Sequence, residues 1–232
     1  MRDVLKPPSN PTSPRLGEPT NRSRTSLLEG LQIGERMKVD ADILLCRLAG
    51  ESESVRAGIF QEFESIARDG SSRRDVAMDL IIALREGNPD AALALGHMKA
   101  KEGIADLREI ARREDGSAIY RNAIRAMCMF ECRYEFLDEI SRAFLEQEGL
   151  EAETAKALAD MNGIGLGLLE TVVLDRKTAG KPKILAALNA IGDAGPSAKA
   201  VLKTLEITLN EGIGLDRDIR TALEDAIKKV NG

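Results

Sequence analysis

Residues 185–209 read LAALNAIGDAGPSAKAVLKTLEITL. Two runs with apolar residues at helical spacing flank a break, Gly192-Asp193-Ala194-Gly195-Pro196. Gly and Pro end one helix and open the next, so the stretch reads as helix, turn, helix. The rest of the chain decides whether this is a lone hairpin or one copy of a repeat.

From residue 39 onward the same alternation recurs. Gly50, Gly70, Asn88-Pro89, Gly116, Gly149, Gly180 and Gly195-Pro196 each fall between apolar periodic runs. Runs of about 10 to 16 residues are too short to persist alone in water, so they must pack on one another. The second run of each pair closes on a similar phrase: EFESI from Glu62, ALGHM from Ala94, AMCMF from Ala126, ALADM from Ala157, ALNAI from Ala187 and AIKKV from Ala226. The starts are 32, 32, 31, 30 and 39 residues apart, the last lengthened by NEGIGLD at 210–216. A near-constant period holding two helices predicts an α-solenoid. The phrase has a physical reason. A small residue lets neighbouring helices approach, a large apolar residue follows, and another sits three places later on the same face. Glu62 departs from the small position, which an end repeat with a less covered flank tolerates.

VRAGIFQEFESI (residues 55–66), ALGHM and AIGDAGPSAKAVLKTL (190–205) resemble HEAT repeats of the short bacterial type. There a Val-Arg opens the inner helix, an Ala-Leu-Gly-like run closes it, and a Gly-Asp turn leads to the next outer helix. Ile219-Arg220 repeats the opening. The resemblance implies an all-α, right-handed α-solenoid of about six HEAT-like helical hairpins over residues 40–232. AMCMF lacks the Gly-Asp turn and runs on into ECRYEFLDEI, and GIGLG at 163–167 reads as a Gly-rich bend, so the middle repeats are expected to be the least regular. GIGLG is not read as a phosphate loop, because no strand precedes it.

Composition agrees with a helical body. Hydrophobic residues make up 43% and charged residues 31%, while aromatics are 3% with no Trp. A core of Leu, Ile, Ala and Met suits closely packed helices and speaks against an all-β fold. Residues 1–26 hold five of the eight prolines, and proline removes backbone donors. They are expected to be a disordered Pro/Ser-rich basic tail, and residues 27–39 an N-terminal capping helix or linker. Five basic against two acidic residues give the tail +3, so −8 of the total −5 falls on the remainder.

That acidic total argues against phosphate gripping, so nucleic acid is an unexpected partner. No apolar run approaches the about 20 residues of a membrane span. Prolines fall where a signal peptide would be apolar, and three cysteines cannot all pair within the chain. A cytoplasmic location is the default expectation.

Chemistry-bearing clusters are few. His97 is the only histidine; metal-dependent hydroxylases on HEAT repeats need several, so that class is set aside. His97 is expected as a partly exposed helix-end residue. Cys128 and Cys132, four apart, are expected to share a helix face as small buried hydrophobes, without the second pair a zinc site requires. No catalytic, cofactor-binding or metal-binding residue is assigned. Inner helices of a solenoid line its concave face, the usual binding surface. Arg56, Arg121, Arg125, Lys156, Lys183 and Arg220 fall on them at non-apolar positions, as a candidate basic stripe, with Glu153, Asp160 and Asp218 as available counter-charges. The expected function is a non-catalytic protein–protein interaction scaffold or adaptor whose partner is another protein or an acidic peptide, with no cofactor. Two alternatives follow from the resemblance: an enzyme subunit similar to the phycobilin lyases, and a HEAT-like DNA-repair protein.

Overall fold

The computed structural model describes residues 41–49, 51–70, 72–113, 115–176, 178–211 and 215–232. The proposed tail and cap at 1–39, Gly50 and part of the 210–216 insertion lie outside the described residues. Residues 39–232 form one compact unit. All its regular structure among the described residues is helical.

The helices are α1 (Ala41–Leu48), α2 (Glu53–Asp69), α3 (Arg73–Arg85), α4 (Pro89–Met98), α5 (Ile104–Ala111), α6 (Ala118–Met129), α7 (Leu137–Glu146), α8 (Glu151–Asp160), α9 (Gly163–Leu174), α10 (Lys181–Ala194), α11 (Leu202–Asn210) and α12 (Arg217–Asn231). Short 3-10 turns at Lys101–Gly103, Arg133–Phe136 and Gly195–Val201 lead into α5, α7 and α11. Local chemistry sets the ends. Asn88 Oδ1 accepts the Asp90 amide at 3.0 Å, Ser117 Oγ accepts that of Tyr120 at 3.2 Å, and Asp216 Oδ1 that of Asp218 at 2.9 Å. Such caps satisfy donors that a helix start leaves open. Gly70, at φ 73°, closes α2 in the left-handed conformation and donates to Ile66 O, which glycine adopts without penalty.

Packing follows chain order. The even-numbered helices form a series in which α2 packs on α4, α4 on α6, α6 on α8, α8 on α10 and α10 on α12. Each also packs on the odd-numbered helix before it. The repeated phrase lies in the even set, hereafter the inner helices. Its small residues, Ala94, Ala126, Ala157, Ala187 and Ala226, are at most 2% exposed. Its large residues are buried throughout, apart from partly buried Ile66 and Ile227. Glu62, the exception, is exposed and pairs with Arg47 of α1 at 2.8 Å, so its charge is answered within the first hairpin.

Three sequence expectations need correction. Gly192-Asp193 is not a turn: α10 continues through it to Ala194, and the chain breaks at Gly195, φ 56°. A Cβ on Gly192 would lie 3.2 Å from Ala226 Cα of α12, so this glycine permits close packing. GIGLG is likewise no bend but the start of α9. A Cβ on Gly165 would lie 1.8 Å from the Leu158 carbonyl oxygen, so α9 leaves α8 at a distance no side chain permits. The turn itself is made by Asn162, at φ 52°. Finally, Cys128 and Cys132 do not share a helix face. α6 stops at Met129, Phe130 is extended, and Cys132 precedes the next 3-10 turn.

That stop replaces the glycine turn with an aromatic plug. Phe130 and Phe136 are buried and meet edge to face, ring centroids 5.7 Å apart. The Arg108 guanidinium lies 5.3 Å from the Phe136 ring centre. Tyr134 hydroxyl donates to Met161 O at 2.6 Å, and Arg133 donates to Cys128 O at 2.7 Å. An irregular stretch thus spends its polar groups on neighbouring backbone rather than leaving them buried and unpaired.

Candidate binding groove on the inner helices

Each inner helix buries one face on its hairpin partner and its flanks on its neighbours in the series. A strip of each is left facing solvent. The residue one place before the repeated phrase falls at this strip: Gln61, Leu93, Arg125, Lys156, Ala186 and Asp225 in the six inner helices, of which Leu93, Arg125 and Ala186 are half-buried. The first three line one concavity of about 500 Å³, with Glu53, Arg56, Phe60, Glu64, His97 and Asn122. Arg125 and Lys156 line another of about 350 Å³ between α6 and α8, floored by Cys128, Met129 and Ala157 and rimmed also by Arg133, Glu153 and Asp160. Arg125 belongs to both, so the two are neighbours along the same strip.

The first concavity is held by an ordered polar and aromatic set. The His97 ring stacks on Phe60, centroids 4.5 Å apart and planes 12° from parallel. His97 Nδ1 lies 3.0 Å from Glu64 Oε1, and the Arg56 guanidinium lies 5.9 Å from the Phe60 ring centre. Asn122 donates to Pro89 O at 3.0 Å, fixing α6 against the start of α4. His97 is thus a part of the groove wall bridging α2 and α4. The available signal was positional: Gln61, Leu93 and Arg125 recur at one place beside the phrase, with Phe60 and His97 close to them in sequence.

The six sequence-predicted cations do not share one environment. Arg56 pairs with Asp90 at 2.5 Å and donates to Leu48 O at 2.8 Å. Arg125 pairs with Glu153 at 3.1 Å. Arg121 is exposed and donates from Nε to Gly116 O at 3.1 Å. Lys183 stands four places before its phrase, where Asp90 and Glu153 stand in theirs; its amine reaches Leu145 O on α7, beside a separate concavity lined by Leu145, Thr171 and Asp175. Lys156 and Arg220 are exposed. The structure therefore brings Arg125 together with Arg56 on one side and Lys156 on the other. It does not bring Arg121, Lys183 and Arg220 into the same concavities, and the expected stripe is not continuous. Of the counter-charges expected for it, Glu153 aside, Asp160 pairs with Arg133 at 2.7 Å and Asp218 with Lys181 at 2.6 Å.

Most of these pairs join successive inner helices, as does Lys229–Asp193, while Lys99–Glu131 joins the segments just past the ends of α4 and α6, each at 2.7 Å. Lys99 holds the Glu131 carboxyl below its ordinary value, chiefly by hydrogen bonding, and Lys181 does the same for Asp216. Burial pushes the Cys128 thiol up to about 12, so it stays protonated and behaves as an apolar group. All three cysteines are free thiols. No group of three or more His, Cys, Asp and Glu residues converges among the described residues in the way a metal would require. No helix among them is long and apolar enough to cross a membrane.

Neither a protein-family model nor a curated protein sequence matches the chain.

Proposed function

We propose that the chain is a right-handed HEAT-like α-solenoid of six hairpins that works as a non-catalytic scaffold or adaptor, binding a partner protein or acidic peptide on the strip exposed by its inner helices. The resemblance of the repeated phrase to short HEAT repeats supports the architecture. One observation carries the binding role: a groove lined by α2, α4 and α6 continues through Arg125 to α8. Three or more successive repeats thus contribute to one elongated surface, which fits an extended or helical segment better than a small molecule.

A photo-crosslinking residue tests this. Gln61 lies in the groove, whereas Met78 lies on α3 and is 46% exposed. Crosslinker at Gln61 is expected to trap one partner stoichiometrically in cells, and crosslinker at Met78 is not. Equal trapping from both positions, or none from Gln61, would remove the groove as the binding surface.

A further inference from the structure

The concavity between α6 and α8 differs from its neighbour in its charge balance. Its floor is apolar: Cys128, Met129 and Ala157. Cys128 supplies no ionised sulfur, for the reason given above. On its rim stand three cations and two carboxylates. Both carboxylates are already answered, Glu153 by Arg125 at 3.1 Å and Asp160 by Arg133 at 2.7 Å. The third cation, Lys156, is exposed and has no carboxylate partner among the described residues. A volume of about 350 Å³ admits one large aliphatic side chain with part of its backbone.

We infer that this concavity is an anchor site for a peptide segment in which an aliphatic side chain adjoins a carboxylate, the side chain entering over Met129 and Ala157 and the carboxylate meeting Lys156. This rests on the binding role proposed for the inner-helix strip and names the partner's chemistry. Charge complementarity selects the occupant. A basic segment would bring a second positive charge to a rim that already carries one in excess. A neutral aliphatic segment would leave the Lys156 ammonium without a counter-charge. The apolar floor gives burial and the ammonium gives direction, the division of labour usual in peptide anchors.

The test uses the whole chain with ¹³C-methyl methionine, the Met129 signal being assigned through Met129→Leu. The probes are two peptide pools: one with Leu flanked by Asp or Glu, the other identical but with Asn and Gln in their place. The acidic pool is expected to shift the Met129 methyl saturably and to leave that of Met78 in place. The neutral pool, and the acidic pool added to Lys156→Gln, are expected to bind about tenfold more weakly, the loss of one charge-assisted contact. Lys156 is exposed, so this variant folds as the parent does. Equal binding of both pools, unchanged affinity in Lys156→Gln, or a Met129 methyl that neither pool moves would overturn the anchor. Specific crosslinking from Gln61 would then still stand for the wider groove, so the two readings fail separately.

Discussion

At the scale of single residues, glycines divide by what surrounds them. Gly96 lies inside α4, and a Cβ there would sit 2.7 Å from Ala126 Cα on α6. Gly165 faces the Leu158 carbonyl more closely still. Gly58, in the middle of α2, has nothing within 4 Å. Alanine at these three positions should therefore act in opposite directions. Gly58→Ala is expected to stabilise by about 0.5–1 kcal/mol, since it removes only the entropic cost of glycine in a helix. Gly96→Ala is expected to cost about 1–3 kcal/mol through overpacking, and Gly165→Ala more than Gly96→Ala. Urea denaturation of the three variants gives the order directly. A neutral Gly165→Ala would mean that α9 slides away from α8 without penalty.

At the scale of elements, two ties between successive hairpins depend on pH. Glu131 and Asp216 have carboxyl groups held below their ordinary values of 4.5 and 3.8 by Lys99 and Lys181. A depressed folded-state value means that the stabilisation is complete above the ordinary value and is lost as pH falls below it. The urea midpoint should thus fall as pH drops from about 4.5 toward 3, in the range of those ordinary values. The decline should be shallower in the double variant Glu131→Gln, Asp216→Asn, which keeps the cap at α12 and removes both charges. Parallel declines would show that these exposed pairs contribute nothing measurable. Elements were also where sequence and structure parted. The helical alternation was legible because burial leaves a period: Leu95 and Met98, or Leu188 and Ile191, can only serve one face. Gly192 and Gly165 were misread because glycine in a sequence looks alike whether it supplies a turn or clearance for a neighbouring helix. The groove was half legible. Arg125 and Lys156 stood at matching places beside the phrase, but which carboxylate each cation meets depends on the lateral register of helices about thirty residues apart. The structure shows that register; the spacing put Lys183 in the place of Asp90 and Glu153 but did not show that its amine would reach Leu145 O on α7.

At the scale of the whole molecule, contacts run mainly between elements that are neighbours in the series, so local openings need not unfold the rest. Hydrogen exchange should be slowest in α4, α6, α8 and α10, which have inner helices on both sides, and faster in α1. Uniform protection along 41–232 would point instead to one indivisible core. The ion pairs between inner helices have a further consequence. Arg56 finds its carboxylate in Asp90, and the residue in the register of Asp90 one repeat later is Asn122. Excising α3 and α4 as a cassette would set Arg56 opposite an amide and leave Glu64 without His97. Each layer is thus addressed to its own successor. The repeats share a shape but are not interchangeable parts, and their serial order is written in charge.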